Sequence, residues 1–228
     1  MLLQWSAPEY VPRSFLVSGV SGTNKAVKQT DTSFRLTKQV ADGLVDMQEV
    51  SKGLFLVQSE MAFKKETELC EEYPERKVFQ LSFCMNGICE WDYRQKRGEH
   101  YQLSPTQCSL QCGTFSQCVS RFGSEEPYRT LSISLEQERF LPLAEDLEAA
   151  HLIRRDNKIC THIFSTTPEI RLVLQQLLDC PPERKLRKLY LEGKVLELVS
   201  LFCEEAIGKQ KNDKEISRED YRCLMKAR

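Results

Sequence analysis

The sequence is short of histidine: its three, His100, His151 and His162, stand apart from one another. Without a His-X-His pair and a downstream Glu, a metal-dependent enzyme built on such ligands has little support, and no metal site is predicted. A basic excess is missing as well. The formal net charge is -1, with Lys and Arg spread along the chain, whereas a free-standing DNA-binding domain draws much of its affinity from neutralised phosphates and carries visible positive charge. No apolar run approaches the roughly 18 residues of a membrane-spanning helix. Residues 1–10 lack a basic segment followed by an apolar stretch, so no secretory signal is read there. Gly-X-Ser-X-Gly is absent, no Cys is matched with a His at a recognised spacing, and Ser18-Gly19-Val20-Ser21-Gly22 lacks the Lys-Ser/Thr ending of a phosphate loop. Nucleophilic catalysis and nucleotide binding therefore have no footing. The reading is a cytoplasmic protein that is not an enzyme and takes no cofactor.

What is present fits an ordinary globular protein. The 228 residues are 41% hydrophobic and 29% charged, enough chain for one medium domain or two small ones. Ten cysteines without an export signal predict free thiols in a reducing compartment. Cys84, Cys89, Cys108, Cys112 and Cys118 form no Cys-X-X-Cys pair and read as small buried hydrophobes, the alternative being a thiol sensor or soft-metal site between strands.

Along the chain, residues 17–31 are polar and suit an arm or loop, and 35–50 alternate weakly. From Gly53 the hydrophobic period becomes two. Leu54 to Val57 open a strand; Phe79, Leu81, Phe83 and Met85 share one face of the next, and Cys89, Trp91 and Tyr93 share a face of another. Residues 95–98 signal a turn, and the strand pattern resumes at 100–103. Cys108, Leu110 and Cys112 alternate with Ser109 and Gln111. Short strands follow at 117–122 and 128–135, the latter with Leu131, Ile133 and Leu135 on one side. Strands at roughly 8–12-residue spacing argue for a barrel or sandwich.

Residues 136–155 are mixed, with room for a short helix. Thr167-Pro168-Glu169 then reads as a helix start, Thr capping free amides and Pro tolerated in the first turn. Ile170, Val173, Leu174, Leu177 and Leu178 follow at helical spacing, and Cys180-Pro181-Pro182 ends that element. A second helix is predicted over about 183–207. Leu186, Leu189, Gly193, Leu196, Ser200, Cys203 and Ile207 fall at spacings of three and four, as a coiled-coil or bundle seam requires. Leu191, Val195, Leu198 and Phe202 form a second stripe on roughly the opposite side. Two apolar faces call for a sandwiched helix: either its own domain on one side and a partner helix on the other, or complete burial within one domain. Arg184, Lys185, Arg187 and Lys188 near the helix start read as a solvated face, the alternative being contact with acidic groups such as Glu204 and Glu205 of a second copy. Residues 209–215 are polar and read as a linker. Ser217-Arg218-Glu219-Asp220 then looks like a cap and first turn, so a further domain is expected after Arg228.

The segment 167–208 resembles the AraC/XylS family of transcription regulators, in its siderophore-responsive, PchR-like branch. The residues that carry it are Thr167-Pro168-Glu169-Ile170-Arg171, then Leu178-Asp179-Cys180-Pro181, then 186–198 with its Tyr190-Leu191-Glu192-Gly193-Lys194 block. Phe79-Gln80-Leu81-Ser82-Phe83-Cys84 with Gly87 resembles the strand and turn that open the sensor barrel. Pro182-Glu183-Arg184 departs from the aromatic and Gly usual after the Cys-Pro step. The resemblance implies an α+β fold: a cupin-like antiparallel β-barrel of jelly-roll type followed by a helical dimerisation segment. It divides the chain into an N-terminal arm with strands (1–50), the effector-binding barrel (51–165), the dimerisation helices (166–208), and a linker with the start of the first DNA-binding helix (209–228). The implied partners are a second copy, a small-molecule effector of the siderophore class, and DNA through a C-terminal helix-turn-helix domain. No membrane is implied.

The expected effector lining is Phe83, Trp91, Tyr93, Cys112 and Phe122, since small-molecule pockets are mostly apolar with a few polar anchors. The expected dimer interface is Leu186, Leu189, Leu196, Cys203 and Ile207. Two other readings stay open at this stage: a stand-alone regulator that pairs with full-length relatives, and a small cupin-type enzyme.

Overall fold

The structure, a computed structural model, describes residues 2–4, 14–17, 28–29, 33–35, 38, 40–94, 98–154, 156 and 158–226, with side chains at 38, 40–70, 79–94, 98–154, 156 and 158–209. The strands are β1 (Leu2–Gln4), β2 (Ser14–Val17), β3 (Lys28–Gln29), β4 (Ser33–Arg35), β5 (Ala41–Ser51), β6 (Leu54–Phe63), β7 (Thr67–Asn86), β8 (Cys89–Tyr93), β9 (Tyr101–Leu103), β10 (Gln107–Phe122), β11 (Tyr128–Leu135) and β12 (Cys160–Ser165). The helices are α1 (Gln137–Ala149), α2 (Pro168–Leu178) and α3 (Arg187–Lys226). Most of the polar arm expected over 17–31 lies outside the described residues.

The strands form one antiparallel network in the order β3-β4-β5-β6-β11-β7-β10-β8-β9, with β12 added to β10, β2 to β7 and β1 to β2. Among the described residues the network does not return on itself. The expected barrel is therefore a cupin-like sheet folded over into two layers, with β7 and β10 long enough to run through both. The bend in β10 has two local causes. Gly113 sits at φ +131, and a Cβ there would meet the Ile159 Cα and the Lys158 carbonyl oxygen at 2.5 Å. A register shift follows between Phe115 and Gln117, so residues 107–122 are one bulged strand where the sequence pattern suggested two.

One face of the β6-β11-β7-β10-β12 layer is apolar and meets the helices. Leu54, Leu56, Phe79, Leu81, Phe83, Cys108, Leu110, Cys112, Leu131, Ile133 and Leu135 form a core with Phe140 of α1, Ile170 and Val173 of α2, and Leu191, Val195, Leu198 and Phe202 of α3. Phe79 stacks on Phe140 at 5.4 Å, and Phe202 meets Phe83 edge-on at 6.2 Å. Thr167 caps α2 by accepting from the Ile170 amide at 3.3 Å, as its position before Pro168 predicts.

The second helix differs from expectation at both ends. It begins at Arg187 rather than near 183, because residues 181–186 form tight turns and Leu186 adopts a left-handed φ of +58. It also runs on through 209–215, the segment read as a linker. Polar residues alone do not end a helix. That stretch has neither Gly nor Pro, Lys and Glu are good helix formers, and Lys209 pairs with Glu205 one turn earlier at 2.9 Å. Two arginines fasten the helices to the sheet. Arg139 of α1 donates to the Lys52 carbonyl and the Ser51 hydroxyl and approaches Glu192 of α3. Arg187 donates to Gln48 of β5 at 2.8 Å.

Candidate effector site

Strand alternation sends every second side chain of the helix-backed layer away from the helices, into the space between the two layers. Register then places those side chains in rows. Ser134, Gln80, Gln111 and Thr161 lie directly opposite one another across β11, β7, β10 and β12. The next row is Ser132, Ser82 and Ser109, flanked by Val57 of β6 and Ile163 of β12. These are two rungs of amides and hydroxyls on the inner face of a sheet whose other face is mostly apolar. Ser82, Ser109, Ser132 and Ser134 are buried, while Gln80, Gln111 and Thr161 are partly accessible.

The rungs are hydrogen-bonded along and across the strands. Gln80 Nε2 donates to Ser82 Oγ at 3.1 Å, and the Ser82 and Ser132 hydroxyls share a bond of 2.9 Å. Gln111 Nε2 reaches Ser109 Oγ at 3.5 Å. From β8, beyond the bend in β10, the Tyr93 hydroxyl donates to Gln111 Oε1 at 2.8 Å. Aromatic rings line this end. Tyr93 packs on Phe115 at 4.9 Å and meets Tyr101 edge-on at 5.9 Å, and Trp91 stacks on Tyr101 at 5.6 Å.

Burial pushes the Tyr93 phenol well above its ordinary value, with Cys118 adding to the effect, while Thr161 and Trp91 are close enough to oppose it. The Tyr101 phenol is raised for the same first reason, reinforced by its hydrogen bond to Glu99. Both rings thus stay neutral at physiological pH. Trp91 Nε1 and Thr161 Oγ1, although near the Tyr93 hydroxyl, are buried with no partner in hydrogen-bonding geometry. An unsatisfied buried donor costs about 1–3 kcal/mol, which a ligand supplying the missing partner would recover.

Of the five residues expected to line the site, Trp91 and Tyr93 belong to this cluster. Phe83 and Cys112 do not: they face the helices, in the other core, with Phe83 against Phe202. Phe122 lies between the layers but packs against Phe63 at 4.6 Å and Tyr128 at 4.9 Å. Sequence reasoning missed Tyr101, Gln111 and Thr161. On single strands they read as outward polar positions, and only pairing register brings them together.

On α3 the inner stripe of Leu191, Val195, Leu198 and Phe202 is buried in the domain's own core. Of the expected interface, Leu186 is 77% exposed, Leu189 65% and Leu196 44%. Cys203 is corrected to a core residue, and Ile207 is partly buried against that core. The cause is helical geometry: Cys203 and Ile207 sit beside the buried Phe202 and Ala206. His100 is exposed and bonded through Nδ1 to Asp92, with Glu90 at 3.5 Å. Among the described residues no three His, Cys, Asp or Glu side chains gather as a metal site, and no helix is long and apolar enough to cross a membrane.

The model of the family named Regulatory protein PchR N-terminal domain matches residues 42–217. The chain belongs to this family. By this match it is an N-terminal domain of the PchR regulatory-protein kind. Its fold is similar to that of the AraC-like transcriptional activator CuxR (TM-score 0.50, 9% identity, covering 82% of this chain and 61% of that one). It is also similar to apo ToxT from Vibrio cholerae strain SCE256 (TM-score 0.52, 12% identity, covering 72% of this chain and 59% of that one). The chain thus spans about three-fifths of the length of these two regulators. A search of curated proteins finds no match.

Proposed function

We propose that this PchR-type domain binds a small effector between its sheet layers, at Trp91, Tyr93, Tyr101, Gln111 and Thr161, and has no catalytic role. By resemblance to its branch of the family, the effector is of the siderophore class. The observation that carries the reading is the pair of unpartnered buried groups, Trp91 Nε1 and Thr161 Oγ1, at one end of two polar rungs. A second copy docks through Leu189 and Leu196 on the outer face of α3 and Leu186 in the turn just before it, and a helix-turn-helix domain of the same regulator reads DNA in the cytoplasm. The short strand β12 supplies continuity between the two regions. Thr161 faces the effector cluster, while Phe164 meets Phe202 of α3 at 5.7 Å and the Ser165 carbonyl accepts from Lys209 at 3.3 Å.

Thermal unfolding measured against a library of siderophores, aromatic compounds and sugars tests the sensor reading. A ligand at a hundred times its Kd stabilises by about 2.7 kcal/mol, or roughly 5–10 °C for a chain of this size. A siderophore is expected to give such a shift, and Gln111→Leu to remove most of it. No shift from any compound would overturn the reading. Glu at both Leu189 and Leu196 is expected to give monomers in sedimentation. Persistent dimers would remove α3 from the interface.

A further inference from the structure

We infer that the ligand of this cluster is uncharged where it meets the rungs, offers a hydrogen-bond acceptor to Trp91 Nε1, and carries an apolar ring against Tyr93, Tyr101 and Phe115. This rests on the effector-site reading above and narrows it to a chemical class. Three features of the site lead there.

The first is the donor left over. An indole N–H donates and never accepts, and Trp91 is 4% exposed with no partner for that group. Its complement is a carbonyl, ether or ring-nitrogen lone pair on the ligand. Thr161 Oγ1, the second such atom at this cluster, can donate or accept and so tolerates either polarity in the adjacent ligand atom.

The second is the absence of countercharge on the rungs. Ser134, Gln80, Gln111, Thr161, Ser132, Ser82 and Ser109 are all amides or hydroxyls. A carboxylate or ammonium group brought against them would lose its hydration and gain no opposite charge, which strongly disfavours burial. An amide or hydroxyl edge already committed to neutral bonds (Gln80 to Ser82, Tyr93 to Gln111) accommodates a neutral polar ligand at little cost.

The third is the wall. Tyr93, Tyr101 and Phe115 come from β8, β9 and β10 and pack ring against ring at 4.9 and 5.9 Å. Aromatic side chains reward a ring packed offset or edge-on against them. Gln111 and Thr161 adjoin that wall, the Tyr93 hydroxyl donating to Gln111 at 2.8 Å, so a ring and a polar edge of one ligand would be met at one place.

The test uses the full chain carrying Trp5→Phe, which leaves Trp91 as the sole tryptophan. Benzamide, benzoate and benzamidinium are matched in shape and differ in charge. Benzamide is expected to change Trp91 emission saturably, with a Kd of order millimolar for so small a molecule. The two ions are expected to bind about tenfold or more weakly. Gln111→Leu and Thr161→Val should each weaken benzamide about fivefold or more while circular dichroism stays unchanged. Should either lose the fold, Trp91→Phe serves instead, followed by ligand-observed NMR, because it deletes the N–H and keeps a ring. Benzoate or benzamidinium binding as tightly as benzamide would overturn the charge class and leave the effector site standing. Benzamide binding equally well to all three variants would overturn the placement at this cluster. No saturation by any of the probes would overturn the inference, while the library measurement above still decides the sensor reading by itself.

Discussion

The two faces of the β7-β10-β11 sheet are built from alternate residues of the same strands, yet they differ in kind. On the helix side Phe79, Leu81, Phe83, Leu110, Leu131 and Ile133 are completely buried in a continuous apolar core. On the inner side Gln80, Ser82, Ser109, Gln111, Ser132 and Ser134 form hydrogen-bonded rungs beside an aromatic wall. One face is the stability core, and the other is the one for which recognition is proposed. An alternating strand does not specify that its polar side meets water; a second layer of the same domain can cover it. The contrast is measurable at adjacent residues. Leu81→Ala is expected to lose about 2–5 kcal/mol of unfolding free energy in a denaturant titration, through lost burial and a residual cavity. Ser82→Ala, which deletes one partner of the Ser82–Ser132 bond, is expected to lose about 0.5–1.5 kcal/mol. Equal losses would mean that the inner face is as much a structural core as the outer one.

Much of the frame was legible in the sequence, because burial on one side imposes a period that survives in the residues. Phe79-Leu81-Phe83, Cys89-Trp91-Tyr93 and Leu131-Ile133-Leu135 were placed on strand faces that the structure keeps together. Thr167 with Pro168 marked the start of α2. The candidate site was not legible, for two reasons. Its polar members were visible only as the hydrophilic half of an alternation. Its strand β10 also changes parity: Ser109, Gln111 and Phe115 face inward before the register shift, whereas Cys118, Ser120 and Phe122 lie on the inner side after it. A reading by alternation carries Cys112 and Phe122 to the same face, and the bulge separates them.

That bend can be attacked directly, with an effect of intermediate size. Gly113→Ala places a Cβ about where the Ile159 Cα and Lys158 carbonyl now lie and forces a side chain onto a φ of +131. A loss of more than about 1 kcal/mol is expected. Hydrogen exchange should rise selectively in β12, because β12 must move away from β10 to make room. An unchanged stability would show that the two layers do not depend on this close approach and that the inner face has slack.

The smallest effect compares the faces through their thiols, which leave the fold intact. Burial pushes Cys84, on the inner face, up to about 11, partly offset by a backbone hydrogen bond at Asn86. Burial pushes Cys108 and Cys203, on the helix side, up to about 12. The thiolate is the reactive form, and a thiol whose pKa is raised holds less of it at any pH below that value. Alkylation of the native protein should therefore be slow at all three. It should climb about tenfold per pH unit between pH 7 and 10 and run roughly tenfold faster at Cys84 than at the other two. Mass spectrometry of labelled peptides resolves each site. Cys70, only partly buried on β7, provides a more accessible reference within the same chain. A fast-reacting Cys84 would make the inner face a thiol sensor as well as a ligand site. Equal, opening-limited rates at Cys84 and Cys108 would mean that both faces are sealed to the same degree, so that a ligand must wait for the layers to part.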